Sequence, residues 1–177
     1  MEFDLLILRK MKILIILIVI CGLETTAVLG QCTHQVLNLS GTASVNGSLV
    51  TVNSSGFVDT NSVYCNATYP YFIGYEYNSN MDGDGSYTFS FSPAISAVTL
   101  NFSGLSNEFD DIEEVKLFVN GSHYQIPIAG TSNSCDSLAV LTDNGDISAC
   151  LGCPVSGWNG TTISGPINTL TIKDTVI

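Results

Sequence analysis

The residues best suited to chemistry lie together between Tyr69 and Gly85. The run Tyr69-Pro-Tyr-Phe-Ile-Gly-Tyr-Glu-Tyr77 leads directly into Asn78-Ser-Asn-Met-Asp-Gly-Asp-Gly85. Read as one extended strand, it places Tyr69, Tyr71, Ile73, Tyr75 and Tyr77 on a single face, because side chains alternate. Sugar rings stack on flat aromatic faces through their apolar C–H surfaces, and phenol hydroxyls add hydrogen bonds at the rim. Tyr71, Tyr75 and Tyr77 are therefore candidate carbohydrate-binding residues. The competing reading makes this face half of the core, since aromatics pack well in strands whatever their role. The loop that follows offers side-chain oxygens at Asn78, Asn80, Asp82 and Asp84. Calcium wants several hard oxygens, and Gly83 and Gly85 permit a tight bend around it. The twelfth position from Asn78 is Phe89, where the helix-loop-helix calcium pattern needs a bidentate acid. That pattern is excluded. What is left is a β-loop calcium site that recruits acids from elsewhere, or a turn that uses these residues for conformation alone.

Outside this region the chemical inventory is thin. Asn107-Glu-Phe-Asp-Asp-Ile-Glu-Glu114 gathers five acids. They either face Asp82 and Asp84 and complete a cation site, or form a solvated, self-repelling loop. His34 and His123 are the two histidines, and no Gly-x-Ser-x-Gly nucleophile elbow accompanies them. Acids are numerous, yet no motif pairs two of them for glycoside hydrolysis. With few basic side chains, a developing oxyanion would rely on backbone amides. The expectation is a non-catalytic protein, with a small secreted hydrolase as the remaining enzyme reading.

Compartment follows from the start of the chain. Met11-Lys12 precedes an apolar run from Ile13 to Leu23, a short polar stretch and Ala27-Val-Leu-Gly30. A basic start, a short apolar core and small residues at the cut make a secretory signal over residues 1–30, cleaved before Gln31. The run is shorter than the ~20 residues a bilayer-spanning helix needs. The protein is expected to be secreted, with residues 31–177 as one domain.

The net charge of −11 survives this processing. Arg9, Lys10 and Lys12 leave together with Glu2, Asp4 and Glu24, and only Lys116 and Lys173 remain as cations. Such a chain has no means to neutralise phosphates, which excludes nucleic acid and anionic membrane surfaces as partners. Extracellular proteins and neutral glycans remain, and no cofactor is expected beyond the candidate calcium ion.

Cysteine usage agrees with an oxidising compartment. Cys32, Cys65, Cys135, Cys150 and Cys153 are disulfide candidates. Cys150-Leu-Gly-Cys153 has redox spacing, but lacks the βαβ surroundings of a thioredoxin-like motif. Asn-x-Ser/Thr glycosylation candidates begin at Asn38, Asn46, Asn53, Asn66, Asn101, Asn120 and Asn159.

The elements that must position these groups read as strands. Short alternating runs are separated by Gly, Asn and Asp, and no long stretch has a helical period. Asn120-Gly121 and Asn144-Gly145 each sit between two such runs and predict hairpins with type I′ turns. Tyr87, Phe89 and Phe91 alternate with polar residues. The pattern resumes after Ser92-Pro93 at Val98, Leu100 and Phe102. Further strands are expected within residues 33–39, 48–52 and 62–69 and around 163–172. The sum is an all-β, two-sheet antiparallel β-sandwich of about ten short strands. The run from Tyr87 to Phe102, an acidic segment and then Val119-Asn-Gly121 looks like secreted jelly-roll modules of extracellular proteins. That is a likeness of fold, which does not fix function.

Overall fold

The computed structural model describes residues 14–21, 41–45, 47–56, 58–59, 62–64, 67–69, 72–73, 85–108, 111–132, 135–153 and 155–177. Among these the chain is all-β. The early strands are β1 (Leu14–Cys21), β2 (Thr42–Val45), β3 (Ser48–Gly56), β4 (Val58–Asp59), β5 (Ser62–Tyr64), β6 (Ala67–Tyr69) and β7 (Phe72–Ile73). The later strands are β8 (Gly85–Glu108), β9 (Asp111–Val119), β10 (Ser122–His123), β11 (Ser137–Leu138), β12 (Val140–Leu141), β13 (Ile147–Ser148) and β14 (Val155–Val176). Twelve of them form one open sheet with a spine in the order β12-β13-β9-β14-β8-β1-β7-β4, and β5 pairs with β6 separately. Pairing is antiparallel except between β11 and β14.

Two long strands organise everything else, which corrects the expectation of short ones. β8 has 24 residues and β14 has 22, and they run antiparallel along most of their length. The apparent break at Ser92-Pro93 is a bend inside β8. Ser90 pairs with Thr169, the next pair is Ile95 with Ile167, and residues 91–94 have no ladder partner on β14. Pro93 has no amide to donate, so a stretch already released from the ladder is where it costs least. Inward-facing residues are Tyr87, Phe89 and Phe91 before the bend, and Val98, Leu100 and Phe102 after it. Ile95, beyond the bend, keeps the parity of Tyr87 to Phe91, and the buried face switches parity between Ile95 and Val98. β14 switches likewise, burying Ile163 and Ile167, then Leu170 and Ile172.

These side chains form one apolar core with Val50, Val52, Leu105, Leu117 and Trp158. Each large side chain buried there contributes about 1.5–3 kcal/mol. Trp158 is fully buried, and its indole N–H donates to Thr161 Oγ1 at 2.5 Å. The backbone at Gly130 lies flat against this ring. A Cβ there would stand 2.6 Å from an indole carbon, so the close approach requires glycine.

β8 has different neighbours along its second edge. From Gly85 to Ser92 it pairs with β3, and from Ala97 to Ser103 it pairs with β1. β1 also pairs with β7, but only at its first two residues, through Leu14 with Ile73 and Ile15 with Phe72. The apolar heart of the predicted leader thus lies as a strand along the second half of β8. Its isoleucines and valine suit a strand as well as they suit a leader.

The two predicted hairpins form with different turns. Asn120 and Gly121 have φ of 51° and 80°, and Ser122 pairs with Val119, as a two-residue type I′ turn requires. At the second, Gly145 donates to the Thr142 carbonyl at 2.9 Å and has φ of 78°, while Asn144 is not left-handed. This is a longer connection in which one left-handed glycine ends the turn. The acidic segment makes a third hairpin, pairing Asn107 with Ile112 and Glu108 with Asp111. Glu113 and Glu114 are buried, so the expected solvated loop is corrected at these positions. On β14 and β9, Lys173 and Lys116 are direct cross-strand partners.

Candidate functional site

Tyr71, Tyr75, Tyr77, Asn78, Asn80, Asp82 and Asp84 lie outside the described residues, as do Asn38, Asn46, Asn66, Cys32 and Cys65. The structure describes the framework at both ends of the tyrosine and loop segment. Tyr69 ends β6 in the small separate sheet, whereas Ile73 belongs to β7 in the main sheet. The run from 69 to 77 is therefore not one strand in one sheet. Pro70, with no amide for a ladder, falls at the junction. At the far end, Gly85 opens β8 with Gly56 of β3 on one side and Asp174 of β14 on the other. Asp174 is only 2% exposed, so a buried acid pairs with Gly85, the first described residue after the oxygen-rich segment.

A second polar constellation was only half visible in the sequence. His123 follows the Asn120-Gly121 turn, and its Nε2 lies 2.6 Å from Asp146 Oδ1. Asp146 is buried, while the imidazole is half-exposed and lies against the Phe118 ring at 5.7 Å between centroids. The Asp146 amide donates to Thr142 Oγ1, and the Ile126 amide donates to the Gly145 carbonyl at 2.9 Å. Two hairpins are stitched together here, through a carboxylate that fixes the orientation of an imidazole. A carboxylate and an imidazole so arranged are the orienting half of an acid–base pair. Among the described residues no hydroxyl or thiol is hydrogen-bonded to the ring to serve as a nucleophile. Asp146 follows Asn144-Gly145 so closely that the sequence presents it as a turn residue, which is why it escapes notice.

The other buried acids hold the backbone. Glu113 accepts the Ser106 amide at 2.6 Å, and Asp136 accepts the Ser103 hydroxyl and the Gly104 amide. Glu114 pairs with Lys116 at 2.9 Å.

Of the sequon asparagines, two act as braces where β14 changes register. Asn101 Oδ1 accepts the Gly160 amide at 3.0 Å. Asn120 Oδ1 accepts the Asn168 and Thr169 amides, and its Nδ2 donates to the Pro166 carbonyl. These meet the shifts between Asn159 and Thr161 and between Ile167 and Thr169. Asn53 is exposed on β3, and Asn159 is partly buried, with its backbone bridged to Thr131.

Cys150 and Cys153 are disulfide-bonded, and Cys135 is also in a disulfide. The Cys150–Cys153 bond closes a turn that holds Leu151 out in solvent. The Cys150 carbonyl accepts from Asn107 Nδ2, and its amide donates to Ser156 Oγ.

Comparison with protein-family models, curated proteins and solved structures gives no match.

Proposed function

We propose that this chain is a secreted, non-catalytic interaction or structural module of the extracellular space, with residues 1–30 as a cleaved leader. In this reading the bent sheet is a two-layer, jelly-roll-like sandwich. The register shifts between β8 and β14 around Ile95 and Ile167 support that, because strands pass from one layer to the other through bulges or bends. The observation that carries the functional reading is how the polar side chains beside the two long strands are used. Glu113, Asp136 and the sequon asparagines Asn101 and Asn120 each satisfy backbone amides of β8 or β14. Polar chemistry spent on framework hydrogen bonds gives stability and shape rather than turnover. The strongly acidic surface favours extracellular proteins or neutral glycans over polyanions. Expression from the full-length gene in a secreting host tests the compartment. Recovery from the medium with an N-terminus near Gln31 is expected, and retention in cells with Leu14–Cys21 intact would refute it.

One observation favours a second reading, a carbohydrate-binding module assisted by calcium. Gly85, where the Asn78–Asp84 segment ends, is hydrogen-bonded into the sheet beside the buried carboxyl of Asp174. That carboxyl is the ladder partner of Gly85, which directly follows the candidate ligands Asp82 and Asp84 in the sequence, and a calcium site needs additional oxygens. A glycan array probed with calcium and again with a chelator separates the readings. Chelator-sensitive binding selects the second reading, chelator-insensitive binding keeps the tyrosines alone, and no binding leaves the protein-interaction module.

A further inference from the structure

We propose that residues 97–103 of β8 form a strand-accepting edge, covered in the working protein by an extended, uncharged aliphatic strand of a partner protein. The inference rests on the reading of residues 1–30 as a cleaved leader. Leu14–Cys21 makes seven antiparallel residue pairs with β8, from Ile15 with Ser103 to Cys21 with Ala97. On its other side β7 borders only Leu14 and Ile15, so among the described residues the rest of the segment covers the edge of β8 alone. Removing the segment opens a gap beside residues 97–103 of β8, with β7 across from it only at the Ser103 end. Backbone amides and carbonyls along residues 97–103 lose their partners, and such a row is a template for another strand.

The chemistry of the occupant is read from the segment that fits. Leu-Ile-Ile-Leu-Ile-Val-Ile-Cys carries no charge and is almost wholly aliphatic. An uncharged strand also enters a chain of net charge −11 without electrostatic cost. β3 cannot extend to fill the gap, since it already pairs with β2 and with residues 85–92 of β8.

The experiment uses protein secreted from the full-length gene. Its N-terminus is read by mass spectrometry, its mass by sedimentation, and its amide exchange with and without a synthetic Leu14–Ile20 peptide carrying terminal lysines for solubility. A second peptide with Leu17→Pro has the same charge but cannot complete the ladder. The expected result is a processed monomer whose amides at 97–103 exchange quickly. The first peptide slows them on the order of tenfold or more, and the proline peptide does not. Four results overturn the proposal. An N-terminus that still contains Leu14–Cys21 removes the leader reading and leaves the gap filled. Slow exchange in a processed monomer shows that the chain has closed the gap itself. Slow exchange in a dimer makes a second copy the occupant. Fast exchange that neither peptide alters shows an edge that accepts nothing.

Discussion

The two halves of β8 share one strand, one partner and one alternating pattern, yet they differ in what shields them. From Gly85 to Ser92 the strand lies between β14 and β3. From Ala97 to Ser103 it lies between β14 and the apolar segment Leu14–Cys21. The apolar faces are equally buried, with Phe89 and Phe102 both essentially inaccessible. Side-chain burial and edge protection are thus separate properties. The first is set by the alternation within a strand, the second by whatever chain happens to lie alongside.

The largest effect that probes this contrast comes from the core. Phe89→Ala and Phe102→Ala should each cost about 3–5 kcal/mol in urea unfolding of the unprocessed chain. Near-equal losses would sharpen the view that the halves differ only at their edges. A much smaller loss at Phe102 would break it. Next comes the hairpin that ends the second half. Glu113→Gln weakens the charge-assisted acceptor of the Ser106 amide and should cost about 1–3 kcal/mol by the same measurement. An unchanged midpoint would show that the buried carboxyl is not what holds this turn.

At the bend between the halves, Asn120→Gly keeps the left-handed backbone but removes the brace on residues 166–169. It should cost about 1 kcal/mol. Asn120→Ala should cost about 1 kcal/mol more, for the positive φ. Equal losses in the two variants would mean that the turn conformation contributes nothing. The smallest effect lies at the stitched hairpins, away from the long ladder. His123→Gln retains a donor for Asp146 on a half-exposed site, so thermal unfolding should move by less than about 1 kcal/mol. A large shift would mark this pair as part of the framework.

The long alternations were legible because a half-buried strand writes its period directly into the sequence, as at Tyr87-Thr-Phe-Ser-Phe91. The length of β8 was not legible. Ser92-Pro93 reads as a stop, and only the ladder to β14 shows that the strand bends and continues. Asn120-Gly121 fixed its own turn because both residues adopt positive φ. Asn144-Gly145 has the same letters but a different loop, since the Thr142 carbonyl captures the Gly145 amide. The buried roles of Glu113, Asp136 and Asp146 were hidden for a physical reason. A carboxylate reads as solvated unless its hydrogen-bond donors are known, and those donors come from distant strands. The tyrosines and the oxygen-rich loop, the most chemically suggestive part of the sequence, fall outside the described residues. Their framework at Tyr69, Ile73, Gly85 and Asp174 is what the structure adds.

The cross-strand pairing of Lys173 with Lys116 has a practical consequence. These are the only lysines after Lys12, and no arginine follows Arg9. Apart from the N-terminus, every primary amine of residues 31–177 therefore sits on one small patch of two adjacent strands. Amine-reactive dyes, cross-linkers and coupling resins would all attach at this point, and a surface made that way would present the molecule in a single orientation.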